Sequence, residues 1–372
     1  MTRRARTRTL VAAIAVAALL SGCAANAAPN SSGPDADTVV DTRPLSELEL
    51  HPDPRAVTGA TTAHIADDRI VPVVENPSPA LPVTVTSHDA DGARDVTVTK
   101  ADRVLALDMA GSLSATVWGL GLGDRLIGRD MTTTFPGTED LPIVTSGSHS
   151  INAEGVLALR PDLVITDGSI GPRDVLQQLR ESGVTVVFVE NVSSFEGASQ
   201  LARDVAAVLG VPDAGELLAA RIAQDVDDTI AAIRAIAPSD PEKQLRVVFL
   251  YIRGTAGVYY LFGEESGADE LILSLGARDV AGELGWQGMR PITDEAIVEA
   301  DPDLILVMSH GIESSGGVDG LLQAKPALAL TTAGQNKRVV DMDDGVVLGF
   351  GPRSAAVLDA LARAFYAKPA GS

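Results

Sequence analysis

Two residues far apart in this sequence carry side chains that transition metals accept as donors. His149 stands in Ser146-Gly147-Ser148-His149-Ser150, a run of small residues whose backbone is free to present one imidazole. Tyr251 ends the apolar run Val247-Val248-Phe249-Leu250, and Arg253 follows two residues later. In extended backbone, residues two apart leave the same face. Arg253 is therefore expected to donate to the phenol oxygen, and a fixed positive charge there favours the phenolate, the form that binds ferric iron. Each residue also has a plainer reading: His149 as a surface-loop histidine, Tyr251 as a core tyrosine closing a strand. Tyr259 and Tyr260 lie close by, and Tyr260 is the second candidate donor.

These residues need elements to hold them, and the pattern around them alternates. The apolar run 104–107 ends at Asp108 as a buried strand does, and 111–122 reads as a helix. Gly121 and Gly123 close that helix rather than open one, so the GLGLGD run is not a dinucleotide loop. Helix 151–159, strand 161–165, helix 171–182, strand 184–189 and helix 194–209 follow. Residues 214–236 form one long helical stretch, stopped by Pro238 and Pro241. A second unit runs through strand 246–251, helix 268–275, helix 293–299, strands 304–308 and 338–342, and a terminal helix 353–367. Arg160-Pro161-Asp162-Leu163-Val164-Ile165 in the first unit is echoed by Asp301-Pro302-Asp303-Leu304-Ile305-Leu306 in the second. Strands alternating with helices imply parallel pairing. The expectation is an α/β protein of two lobes, 98–213 and 242–372, joined by a single long helix within 214–241. His149 then belongs to one lobe and Tyr251 to the other.

The chain of 372 residues has 29 Lys and Arg against 50 Asp and Glu, for a net charge of −21. That balance argues against nucleic acid and against adsorption to anionic lipid through a basic patch. A single cysteine excludes a disulfide framework and multi-cysteine metal sites. That cysteine, Cys23, follows Arg3, Arg4, Arg6 and Arg8, an apolar stretch 10–20 and Leu20-Ser21-Gly22. Residues 1–22 read as a secretory signal, too short to span a bilayer. The LSGC ending resembles a bacterial lipobox, which implies a mature lipoprotein lipidated at Cys23. Cleavage removes four arginines and no acid, taking the net charge from −21 to −25. Residues 23–97 are rich in Pro, Ser, Asp and Ala without sustained periodicity and read as a flexible tether. His51, His64 and His88 are expected there as solvated residues.

The phrases LALRPDLVITDGSI, LRESGVTVVFV, RVVFLY and IVEADPDLILVM resemble the helix-hinged substrate-binding proteins of ABC importers for cobalamin, siderophores and heme, over residues 98–370. GSHSINAEGVLAL, VVFLYIRG, HGIESSGGVDGLL and LGFGPR are most similar to the HmuT-type hemin-binding lipoproteins. The resemblance implies a class III periplasmic-binding-protein-like fold and a ferric heme clamped between the lobes. His149 and Tyr251 would be its axial ligands, and Arg253 the partner of Tyr251. It further implies a monomer on the extracellular face of the cell membrane, delivering heme to an ABC permease and its ATPase. Upstream cell-surface heme-binding proteins are a further class of partner. Glu154 and Glu295, each in the first turn of a helix, match the glutamates that dock such proteins on the permease. Arg129, Arg173 and Arg353 are candidates for the heme propionates, and Met308 and His310 for the pocket wall. A ferric siderophore or cobalamin is the alternative cargo. No G-x-S-x-G, H-E-x-x-H or P-loop lysine is present, so the expectation is not an enzyme.

Overall fold

The computed structural model describes residues 40–146, 149–291 and 293–369. The expected signal and Cys23 lie outside the described residues. From Val40 onward the expected tether is not one. Leu45, Ala63 and Ile70 are buried, and β1 (Thr61–Thr62) joins the edge of a sheet built almost 280 residues later. β2 (Val83–Asp89) and β3 (Gly92–Val98) form an antiparallel hairpin. Its Val83, Val85 and Val96 pack on the first lobe. The composition of 40–97 hid this because the segment has no core of its own; single apolar residues plug into cores made by others. His51 is half-buried, its N–H donating to the Tyr366 carbonyl, and His88 pairs with Glu190.

The first lobe alternates as expected. β4 (Val104–Leu107), α1 (Ser112–Gly119), α2 (Ala153–Ala158), β5 (Leu163–Thr166), α3 (Arg173–Glu181), β6 (Thr185–Phe188) and α4 (Phe195–Val208) follow in order. β4, β5 and β6 pair in parallel. Val104, Ala106, Leu163, Ile165 and Val187 face one core, while Leu105, Leu107, Val164, Val186 and Phe188 face another. That is the period-2 division of a strand buried on both sides.

α5 (Pro212–Ile236) starts at Pro212 in the first helical turn, where a missing N–H costs nothing. Ala214, Leu218, Ala219 and Ile222 of its first half belong to the first-lobe core, and Val226 and Ile233 of its second half to the other lobe. One rigid rod is thus shared by two cores.

The second lobe holds β7 (Arg246–Arg253), β8 (Val258–Phe262), α6 (Ala268–Ser274), β9 (Arg278–Asp279), α7 (Val280–Glu283), β10 (Met289–Pro291), α8 (Asp294–Ala300), β11 (Leu304–Met308), α9 (Ser309–Ser314), α10 (Gly317–Ala324), α11 (Thr332–Gln335), β12 (Val339–Met342) and α12 (Ser354–Tyr366). Its sheet runs β1-β12-β11-β7-β8-β10, with β9 also on β7. β1, β12, β11, β7 and β9 pair in parallel, while β8 runs against them, antiparallel to both β7 and β10, so this lobe is mixed rather than wholly parallel. The repeated phrase survives as geometry. Arg160 and Asp301, each the residue before a proline, both adopt positive φ, +49° and +34°. Each then leads into a buried strand, β5 or β11.

Candidate functional site

In open α/β sheets, ligands sit beyond the carboxyl ends of the strands. At that end of the second lobe, Tyr251 is half-buried near the end of β7, opposite Tyr260 on β8. Its ring meets Phe262 edge-on at 6.3 Å. Arg253 does share its face, as the spacing requires, but its guanidinium does not bond the phenol oxygen. The guanidinium carbon lies 4.5 Å from the centroid of the Tyr251 ring. Arg253 Nη1 donates to the Ile252 carbonyl at 2.9 Å, and Nη2 pairs with Asp344 Oδ2 at 3.4 Å. A cation seated over an aromatic face is attracted by the ring quadrupole. The expected hydrogen bond is replaced by stacking, with the fork held by the Ile252 carbonyl and by Asp344 in the loop after β12. Asp344 Oδ1 also accepts the His310 backbone N–H at 3.0 Å. Met308 is half-buried at the end of β11 and His310 is exposed beside it, both at this same edge of the sheet.

The first-lobe group is built around a loop. Val144 N–H donates to the Arg129 carbonyl at 2.9 Å, and Met131 N–H to Thr145 Oγ1 at 3.1 Å. Asn152 N–H reaches back to the Val144 carbonyl at 2.9 Å, closing the base of a loop that carries His149. His149 adopts φ +55°, a left-handed conformation that histidine tolerates better than bulkier residues. Its N–H donates to the Ser146 carbonyl at 2.8 Å, while its Nδ1 is buried and has no partner. Asp130, which the sequence did not single out, is fully buried beside this frame. Its pKa is raised by burial and pulled back by Thr132, Thr133 and the field of His149.

No hydrogen bond or ring contact joins His149 to Tyr251 among the described residues, but a short chain of contacts links their surroundings. Asp344 pairs with Arg253 and precedes Gly345, which sits so close to the Thr132 carbonyl that a Cβ would meet its oxygen. Thr132 in turn donates to Asp130 through N–H and hydroxyl, at 2.7 and 2.6 Å. The missed residues Asp130, Thr132, Asp344 and Gly345 lie in Asp-Met-Thr-Thr and Asp-Asp-Gly, ordinary turn sequences.

The three arginine candidates differ. Arg353 is buried, pairs with Asp68 at 2.9 Å, donates to the Gly345 carbonyl and lies over the Phe135 ring, so it is committed to packing. Arg129 Nη1 donates to the Thr133 carbonyl at 2.9 Å, and its Nε is buried without a partner. Arg173 is exposed at the start of α3. Glu154 and Glu295 are both exposed in the first turns of α2 and α8. Asn152 and Thr293 cap those helices by accepting the N–H groups of Gly155 and Ala296. A cavity of about 610 Å³ beside the ends of β5 and β6 is lined by Asp89, Asp167 and Glu190 with His88, an anionic surface ill suited to an anionic cargo.

Comparisons with known proteins place this geometry. The periplasmic binding protein family profile matches residues 109–346. The crystal structure of the heme binding protein HmuT is 42% identical, covering 85% of this chain and 100% of that one, with a TM-score of 0.78. HmuT variants in which an arginine, a tyrosine or a histidine is replaced by alanine match it as well. The periplasmic heme-binding protein BhuT, in complex with two hemes, is 32% identical over 71% of this chain and 97% of its own, with a TM-score of 0.60. The ABC transporter substrate-binding lipoprotein YvrC of Bacillus subtilis (strain 168) is 28% identical over 285 residues, 76% of this chain and 85% of YvrC. With a profile match across both lobes and a long-range likeness above 40% identity, the chain belongs to the periplasmic binding protein family.

Proposed function

We propose that this protein captures heme outside the cell and delivers it to an ABC permease driven by its ATPase. The observation that carries the reading is the Arg253 guanidinium held over the Tyr251 ring at the carboxyl edge of one lobe. In the other lobe, a histidine with a free buried ring nitrogen answers it. A phenolate and an imidazole supplied from two lobes suit a metal that brings its own equatorial ligands, and ferric heme is such a cargo. The likeness to heme-binding proteins supports this choice over a siderophore or cobalamin. His149 and Tyr251 are the axial ligands in this reading, and Arg253 sets the phenol side. Cys23 carries the lipid that keeps the protein on the extracellular face, and Glu154 and Glu295 dock on the permease, one from each lobe. A carrier of this kind performs no catalysis, and two filled axial positions leave no open site on the iron.

The test is an absorption titration of the purified mature protein with hemin. A phenolate-to-iron charge-transfer band is expected. Tyr251→Ala removes it, while His149→Ala keeps it and changes the spin state. Spectra unchanged in both variants, or no hemin binding by the parent protein, overturn the reading.

A further inference from the structure

Asp130 is fully buried and uses its two oxygens unequally. Oδ1 accepts from the Thr132 N–H, the Thr132 hydroxyl and the Thr133 N–H, at 2.7, 2.6 and 3.0 Å. Oδ2 is buried and accepts nothing. Nδ1 of His149 is likewise buried with no partner. Orphaned atoms of this sort are rare in native proteins, and each one calls for an explanation. Here the two deficits are complementary: a carboxylate oxygen without a donor, and an imidazole nitrogen without an acceptor. The backbone frame that holds them is common to both, because residues 129–131 are stitched to residues 144 and 145 at the base of the His149 loop.

We infer that Asp130 is a positioning residue for His149: when the cargo takes Nε2, Asp130 Oδ2 accepts the Nδ1–H. The inference rests on heme as the cargo. Histidines that ligate a metal nearly always donate their second ring N–H to a carboxylate or carbonyl, which sets the tautomer and the ring plane. The Thr132 and Thr133 donors hold the carboxylate rigid, so Oδ2 is presented without a choice of rotamer. Gly345 backs the Thr132 carbonyl, so the second lobe bears on this same turn.

The test uses full-length mature protein with 15N-labelled histidine and gallium protoporphyrin IX, a diamagnetic stand-in for hemin. In the parent complex, the His149 Nδ1 proton is expected as a slowly exchanging, hydrogen-bonded resonance. Asp130→Asn keeps the Oδ1 acceptor for the threonine turn but sets an amide donor where Oδ2 stood. That resonance should disappear, and hemin affinity should fall by ~10–100-fold, the usual loss when such a partner is removed. Thr132→Val removes one donor to Oδ1 and leaves Oδ2 alone. It should lower the melting temperature yet keep the resonance, which separates positioning from mere support of the loop. A fast-exchanging Nδ1 proton in the parent complex, or a resonance that survives Asp130→Asn, overturns the inference even if that variant folds poorly. A parent protein that binds no metalloporphyrin overturns the heme reading instead.

Discussion

Gly345 lies against the Thr132 carbonyl so closely that a Cβ there would stand 2.5 Å from its oxygen. Thr132 supports Asp130 in one lobe, and Asp344, next to the glycine, supports Arg253 in the other. The obstacle is backbone, so Gly345→Ala cannot be absorbed by a side-chain rotation. Overpacking of this kind costs about 1–3 kcal/mol. A lower melting temperature and weaker hemin binding are expected together, measured by calorimetry and absorption titration. Unchanged values for both would show that the junction has slack.

Removing the cation over Tyr251 should weaken cargo binding without removing the charge-transfer band. A cation over an aromatic face contributes about 0.5–2 kcal/mol, depending on desolvation. That stack is present with and without cargo, so its loss lowers stability. Arg253→Ala weakens hemin binding because a cation beside the phenol favours the phenolate that the iron takes, and that affinity should fall measurably. Arg253→Lys should recover only part of it, since a compact ammonium cannot stack as a planar fork does. Tyr251→Phe keeps the ring and loses the oxygen, so the band should vanish while the Arg253 stack remains.

Asp108, at the end of β4, has its pKa pushed up to about 7 by burial and by the nearby Asp167 and Asp130, against the pull of Ser112 and Leu113. In the unfolded chain the group titrates near the ordinary value of about 3.9. Between about pH 4 and pH 7 the folded state keeps a proton that the unfolded state has lost. The contribution of this group to stability thus falls as pH rises through that window and is flat above it. Urea unfolding at pH 4.5, 6 and 7.5 should show Asp108→Asn with the shallower decline, by at most about 1.4 kcal/mol per pH unit. Equal slopes in the two proteins would contradict the assignment.

Residues 40–98 act as a strap that touches both lobes, and Asp68 is one of its fastenings. Its partner Arg353 is only 6% exposed and Asp68 31%, so Asp68→Ala takes from a buried guanidinium the carboxylate it pairs with, leaving only the field of Asp343. Breaking a buried pair costs about 3–5 kcal/mol. The Gly345 carbonyl and the Phe135 face still hold Arg353, which puts the expected loss near the lower end. A melting temperature within a degree of the parent protein would show that the strap is dispensable here.

Much of this architecture is legible in one dimension, because it is encoded within a few residues. The alternating runs that become β4, β5, β7 and β11, the single long helix and the echoed phrase before β5 and β11 all follow from local periodicity. So does the shared face of Tyr251 and Arg253, which needs only extended backbone. Other features depend on groups that meet only after both lobes have formed. Arg338, whose pKa burial lowers to about 10, donates to Thr61 Oγ1 across 277 positions and fixes the strap to the sheet. Nothing local in residues 40–97 announces it. Arg253 meets the Tyr251 ring rather than the phenol oxygen with its fork held by the Ile252 carbonyl and by Asp344, 91 positions away. Asp130 reads as a turn residue until folding sets its free oxygen beside the loop of His149. Spacing selects the face a side chain leaves from, whereas the partner it finds depends on which distant backbone arrives there, and that is a property of the packed lobes alone.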